Sequence, residues 1–133
     1  MKKISFKEAG KEAPAKYFTG TVHVNMIVGE DDDFSTSMGM VTFEKGARTN
    51  WHIHTTGQIL IVTEGIGCYQ ERGKAVEEIK EGEVIKIPVN VEHWHGASNE
   101  SAVRHIAFVP NEDTGKKGVT DWLEAVSDRD YNS

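Results

Sequence analysis

The sequence predicts an all-β single domain, built as a sandwich or barrel. Three observations predict it. Residues 20–109 are short runs rich in Val, Ile, Thr and Phe, punctuated by Gly, Asn and Pro at intervals of roughly 8 to 12 residues. Several of these runs alternate apolar and polar residues with a period of two, as half-buried strands do. A length of 133 residues fits one domain, and the chain has no solenoid-length repeat, low-complexity tract or interior linker.

The elements follow in chain order. Residues 1–19 carry Phe6, Tyr17 and Phe18 among Lys and Glu without clean periodicity, and read as an N-terminal arm packed on the barrel or on a second subunit. Residues 20–110 form the barrel. Its first strand holds Val22, Val24, Met26 and Val28 on one face and turns His23 to the other. Glu30-Asp31-Asp32-Asp33 lacks the spaced acidic ligands and closing Glu of a calcium loop, so it reads as a solvated turn. Residues 37–44 make a strand ended by Lys45-Gly46, and residues 58–63 make another ended by Glu64-Gly65. Residues 68–71 and 75–79 flank Arg72-Gly73-Lys74 as a hairpin. Residues 83–87 and 102–109 complete a set of roughly seven or eight strands. In the C-terminal tail, residues 111–133, Trp122, Leu123 and Val126 approach helical spacing behind Thr120 and Asp121, so a short helix is expected over residues 119–126.

Composition excludes several classes of partner. There are 21 acidic and 15 basic residues, a net charge of -6, and no Lys/Arg cluster longer than two, so the basic footprint of a nucleic-acid binder is missing. Uninterrupted apolar stretches such as Ile59 to Val62 are far short of the roughly 20 residues that span a bilayer as a helix, so no membrane partner is expected. The start, Met1-Lys2-Lys3-Ile4-Ser5-Phe6, has no signal-peptide core, and the single cysteine, Cys68, has no disulfide partner. The cytoplasm is the expected compartment.

The chemistry lies in the histidines. His52, Ile53 and His54 alternate, and in an extended chain residues two apart share a face, so both imidazoles reach one point. Gln58 opens the next strand on the face of Leu60 and Val62, where its amide oxygen can serve as a weaker ligand. About 40 residues later His93-Trp94-His95 repeats the triplet. Five of the six histidines fall in these two triplets and one interior-looking strand, which is hard to reconcile with independent surface placement. A divalent metal bound by His52, His54, Gln58 and His93 accounts for the pattern. His95 shares the facing of His93 and can ligate or act as a base beside the metal. His105 lies on one face with Val103 and Ala107, directed into the same interior. Trp51 and Trp94 alternate away from the ligands and are expected to pack outside the cup.

The spacing resembles the cupin superfamily. Gly46, His52, His54, Gln58 and Gly65 match its first motif, residues 46–65, with Gln58 where the family most often has Glu. Gly82, Pro88 and His93 match its second, residues 82–99, with Asn90 in place of the usual Gly. The resemblance implies a jelly-roll β-barrel with a metal-lined mouth, commonly a homodimer, and assigns the ligands to His52, His54, Gln58 and His93. A narrower likeness, carried by Gly46-Ala47-Arg48-Thr49, Trp51-His52, Gly57-Gln58 and His93-Trp94-His95-Gly96-Ala97, is to small bacterial cupins that include manganese-dependent hydroxynitrile lyases. In that group Gln at the Glu position is usual. The likeness implies manganese first, with iron, nickel and zinc also suited to the donors, and catalytic histidines at His95 and His105.

The residues leave three readings open. Neutral imidazole and amide ligands leave the full charge on the ion, which favours Lewis-acid chemistry such as cleavage or formation of a small cyanohydrin. The same centre with iron or manganese could serve a dioxygenase, although the missing carboxylate ligand departs from the two-histidine, one-carboxylate pattern. A barrel that holds a metal or small ligand without turnover is the third, because fold alone does not separate binders from enzymes. In each case the partner is a small molecule.

Overall fold

One long strand organises the molecule and explains why a chain this short can surround a cavity. The computed structural model describes all 133 residues. Its strands are β1 (Lys11–Glu12), β2 (Phe18–Thr19), β3 (Val22–Val28), β4 (Thr36–Phe43), β5 (Arg48–Thr49), β6 (His52–His54), β7 (Gln58–Glu71), β8 (Glu77–Lys80), β9 (Val84–Ile87), β10 (His93–Ala97), β11 (Val103–Pro110) and β12 (Thr120–Trp122), followed by one helical turn, α1 (Asp128–Tyr131). The 14-residue strand β7 belongs to two layers. Its first half pairs with β11 on one side and β9 on the other, and its second half pairs with β8 and β10. All pairings are antiparallel.

The first layer runs β1-β3-β4-β11-β7, with β9 beyond β7. The second runs β8-β7-β10, and β10 then meets β5 through Gly96 and Arg48 and β6 through His93 and His52. The two layers curl into the jelly-roll barrel that the sequence predicts. The strand expected to stop at Glu64-Gly65 continues through it. Gly65 takes φ +81°, and a Cβ there would collide with the Ala102 carbonyl, so the chain bends between layers at a residue that only glycine fits.

Alternation fills the interior. Val22, Val41, Phe43, Leu60, Val62, Tyr69, Ile79, Ile87 and Val103 form the buried core from both layers. Leu60 and Phe43 are fully buried, each gaining roughly 2–3 kcal/mol from leaving water.

Within residues 1–19, β1 pairs with β3 and β2 with β5, so this segment packs on the barrel of its own chain. One expectation needs correction. Residues 119–126 do not form a helix. Thr120–Trp122 is a strand paired with β6, and the short C-terminal helix comes later, at Asp128–Tyr131. Thr and Trp are β-formers, and a partner strand with an open edge overrides a loose helical spacing. Ser127 caps the helix, its Oγ accepting from the Asp130 N–H at 3.1 Å. Arg48 latches it by donating to the Val126 carbonyl at 2.8 Å and to Asp128 at 2.9 Å. Trp51 and Trp94 pack with Val126 and Tyr131 outside the cup, as their alternation predicts. No helix is long and apolar enough to cross a membrane.

Candidate metal centre

Strand pairing gathers the histidines. β6 and β10 place His52 directly opposite His93, and both strands alternate, so His54 and His95 follow on the same interior face. Ring nitrogens of His52, His93 and His95 lie within 4.8 Å of one another. The His54 ring centroid is 4.9 Å from that of His52 and 5.6 Å from that of His93. Gln58, at the start of β7, brings its Oε1 to 3.4 Å from His93 Nε2. The closest group is thus His52, His93 and His95, with His54 and Gln58, the other two ligands expected from the sequence, beside it.

The ring orientations are fixed from behind. His52 Nδ1–H donates to the Asn50 carbonyl at 2.9 Å, and His93 Nδ1–H donates to the Val91 carbonyl at 2.9 Å. A carbonyl only accepts, so both rings carry the proton on Nδ1 and present a bare Nε2. His54 Nδ1 meets Thr120 Oγ1 at 3.3 Å, and its buried Nε2 has no hydrogen-bond partner. His95 Nδ1 meets His105 Nε2 at 3.1 Å, and its buried Nε2 is likewise without a partner. Buried polar nitrogens are rarely left so, and unpartnered nitrogens beside two pre-oriented imidazoles suit a divalent ion of borderline softness.

Burial sets the electrostatics. Desolvation lowers the pKa of all five interior histidines, with mutual repulsion adding to it at His52 and His95. His54 is lowered to about 4 by burial and by His93, and His105 to about 4 by burial. At neutral pH the cluster is uncharged and its lone pairs are available.

Above the cluster lies a cavity of about 170 Å³. His52, His54, Gln58 and His95 form its polar floor, and Phe18, Val24, Met26, Val41, Phe43, Ala107, Val109 and Trp122 form most of its wall. No charged side chain lines it. His93 and His105 lie outside the lining; His105 is fully buried behind His95 and Phe43, 5.3 Å from the Phe43 ring. His105 thus reaches the interior as expected but touches the cavity only through His95. His23 is half-buried in the β1-β3-β4 sheet, paired with Glu12 and Thr42 and away from the site.

Sequence reasoning missed Phe18, Thr120 and Trp122. Trp122 is registered opposite His52 and Thr120 opposite His54, so the pair on β12 faces the cavity as the pair on β6 does. The signal was present in the alternation of Thr120, Asp121 and Trp122, a β-branched and an aromatic residue two apart.

Comparison with known proteins places the fold. The (R)-mandelonitrile lyase of Granulicella tundricola is 43% identical over 131 residues, covering 98% of this chain and 97% of that protein. The crystal structure of a cupin-like protein from Thermotoga maritima superposes with a TM-score of 0.89 at 42% identity, covering 97% of this chain and 96% of that one. A polyketide cyclase from Streptomyces resistomycificus matches with a TM-score of 0.71 over 99% of this chain and 91% of its own, and its 18% identity speaks to fold alone. A family model described as the cupin domain matches residues 39–109, more than half of the sequence. The chain belongs to the cupin family.

Proposed function

We propose that this protein is a metal-dependent lyase that cleaves and forms small cyanohydrins with an apolar, aromatic-sized body. The observation that carries the reading is the uncharged cavity whose polar lining is neutral imidazoles, one amide and the hydroxyls of Ser37, Thr49 and Thr120. Its volume of about 170 Å³ is close to that of an engineered apolar cavity of about 150 Å³ that holds benzene. A phenyl-bearing aldehyde or hydroxynitrile fits that space. The likeness to a mandelonitrile lyase over nearly the whole chain supports the same substrate class.

His52, His54, Gln58 and His93 would hold the ion, with manganese the first candidate. A divalent ion bound there supplies Lewis acidity to a hydroxyl or carbonyl oxygen, undiminished by any carboxylate ligand. The remaining work falls to the protein. Phe18, Val41 and Trp122 seat the apolar body and exclude water from the floor. His95, which lines the cavity and whose buried Nε2 has no partner, accepts the hydroxyl proton as the C–CN bond breaks, and returns it to the departing cyanide to give aldehyde and hydrogen cyanide. For His95 Nε2 to stay unprotonated its Nδ1 must carry the proton, and His105 Nε2, 3.1 Å away, would be the acceptor that holds the ring in that tautomer.

The test is release of benzaldehyde from the two enantiomers of mandelonitrile by manganese-loaded protein. Enantioselective release well above the buffer rate is expected. Manganese-loaded protein that leaves both enantiomers at the buffer rate contradicts the lyase reading and moves the site to oxygen chemistry or ligand binding.

A further inference from the structure

Two of the ring orientations come from the residues just before each histidine's strand: the carbonyl two residues earlier fixes His52 and His93. His54 breaks this rule. Its Nδ1 meets Thr120 Oγ1 at 3.3 Å, 66 residues away in sequence and outside the matched residues 39–109. Thr120 and His54 are registered directly opposite each other on β12 and β6, so the hydroxyl is held in place by backbone pairing. The His54 Nε2 is buried without a partner.

We infer that Thr120 is a positioning residue for His54 and that the C-terminal strand β12 is thereby part of the metal centre. For His54 to offer a bare Nε2, its Nδ1 must carry the proton, and a buried Nδ1–H needs an acceptor. Thr120 Oγ1 is the acceptor the fold supplies. Losing such an outer partner typically weakens metal binding about 10- to 100-fold. The coupling is reciprocal: a metal that needs Thr120 in place holds β12 against the barrel. This inference rests on the proposed site, with His54 as a ligand.

The experiment is a manganese(II) titration followed by the electron paramagnetic resonance signal of the free ion, on wild type, Thr120→Val and Thr120→Ser. Amide hydrogen exchange across residues 119–124 is measured with and without manganese(II). Expected are a dissociation constant raised at least about 10-fold in Thr120→Val, near-normal binding in Thr120→Ser, and manganese-dependent protection of residues 119–124 in wild type that shrinks in Thr120→Val. Should Thr120→Val fail to fold, Thr120→Ala takes its place. Equal affinity in wild type and Thr120→Val overturns the inference and leaves the metal site standing. Equal weakening in Thr120→Val and Thr120→Ser, with matching loss of metal-free stability, assigns Thr120 to strand packing only and also overturns it. No binding by wild type overturns the proposed metal site itself, and the inference with it.

Discussion

Trp122 stands against His52, ring centroids 4.9 Å apart, and stacks on Tyr17 at 4.6 Å. Phe18 meets the same indole edge-on at 5.7 Å. Phe18 and Trp122, from the segments on either side of the barrel strands, both line the cavity beside an imidazole of the first motif.

Trp122→Ala should therefore act on both stability and recognition. Losing the stack and the wall is expected to cost about 2–4 kcal/mol in chemical denaturation. It should also raise KM for phenyl-bearing cyanohydrins more than for short aliphatic ones. Equal KM changes for the two classes would remove Trp122 from substrate contact.

His95 and His105 should separate by size of effect. His95→Ala is expected to lower kcat about 100- to 10,000-fold while the metal is retained, because it removes the proton acceptor and none of the four proposed ligands. His105→Phe should lower kcat less, since His105 acts only through the 3.1 Å contact with His95. Single-turnover rates with metal analysis of the same samples check both. Loss of metal in His95→Ala would reassign His95 to the ligand set.

Gln58→Glu tests the charge argument. A carboxylate cancels part of the ion's charge, so the variant should bind manganese(II) at least as tightly as wild type and turn over substrate more slowly, by about 10-fold or more. Unchanged kcat would show that the neutrality of Gln58 is incidental.

The metal-free protein should lose stability in acid. His105 is held at about 4 by burial against an ordinary value of 6.5, so as pH falls the unfolded chain takes up a proton that the folded chain refuses. Stability is fully present above about 6.5 and falls towards about pH 4, by on the order of 3 kcal/mol from this group. His54 acts in the same direction. Urea midpoints at pH 7.5 and 5 for wild type and His105→Phe measure it; the variant should show the shallower dependence, and parallel pH profiles would count against the assignment.

Much of this was legible in the sequence because alternation is a local rule. His52 with His54, and His93 with His95, share a face by spacing alone, and Trp51 and Trp94 point outward by the same rule. The β12 strand was not legible, since Trp122, Leu123 and Val126 also suit a helix and only the open edge of β6 decides between them. Nor was the long strand β7, because Gly65 signals a turn as readily as a bend between two layers. The His95 to His105 contact depends on β10 and β11 flanking β7 from its two halves, which no sequence spacing encodes.

The central claim is tested most directly by elemental analysis of the purified protein coupled to a cyanohydrin cleavage assay before chelation, after chelation and after return of manganese(II). The account predicts near-stoichiometric metal, activity that disappears on chelation and returns with the ion, and a His54→Ala variant depleted of metal and inactive throughout. A chelated, metal-free protein that still cleaves mandelonitrile at the original rate, or a wild type that retains no metal even after loading, would contradict it.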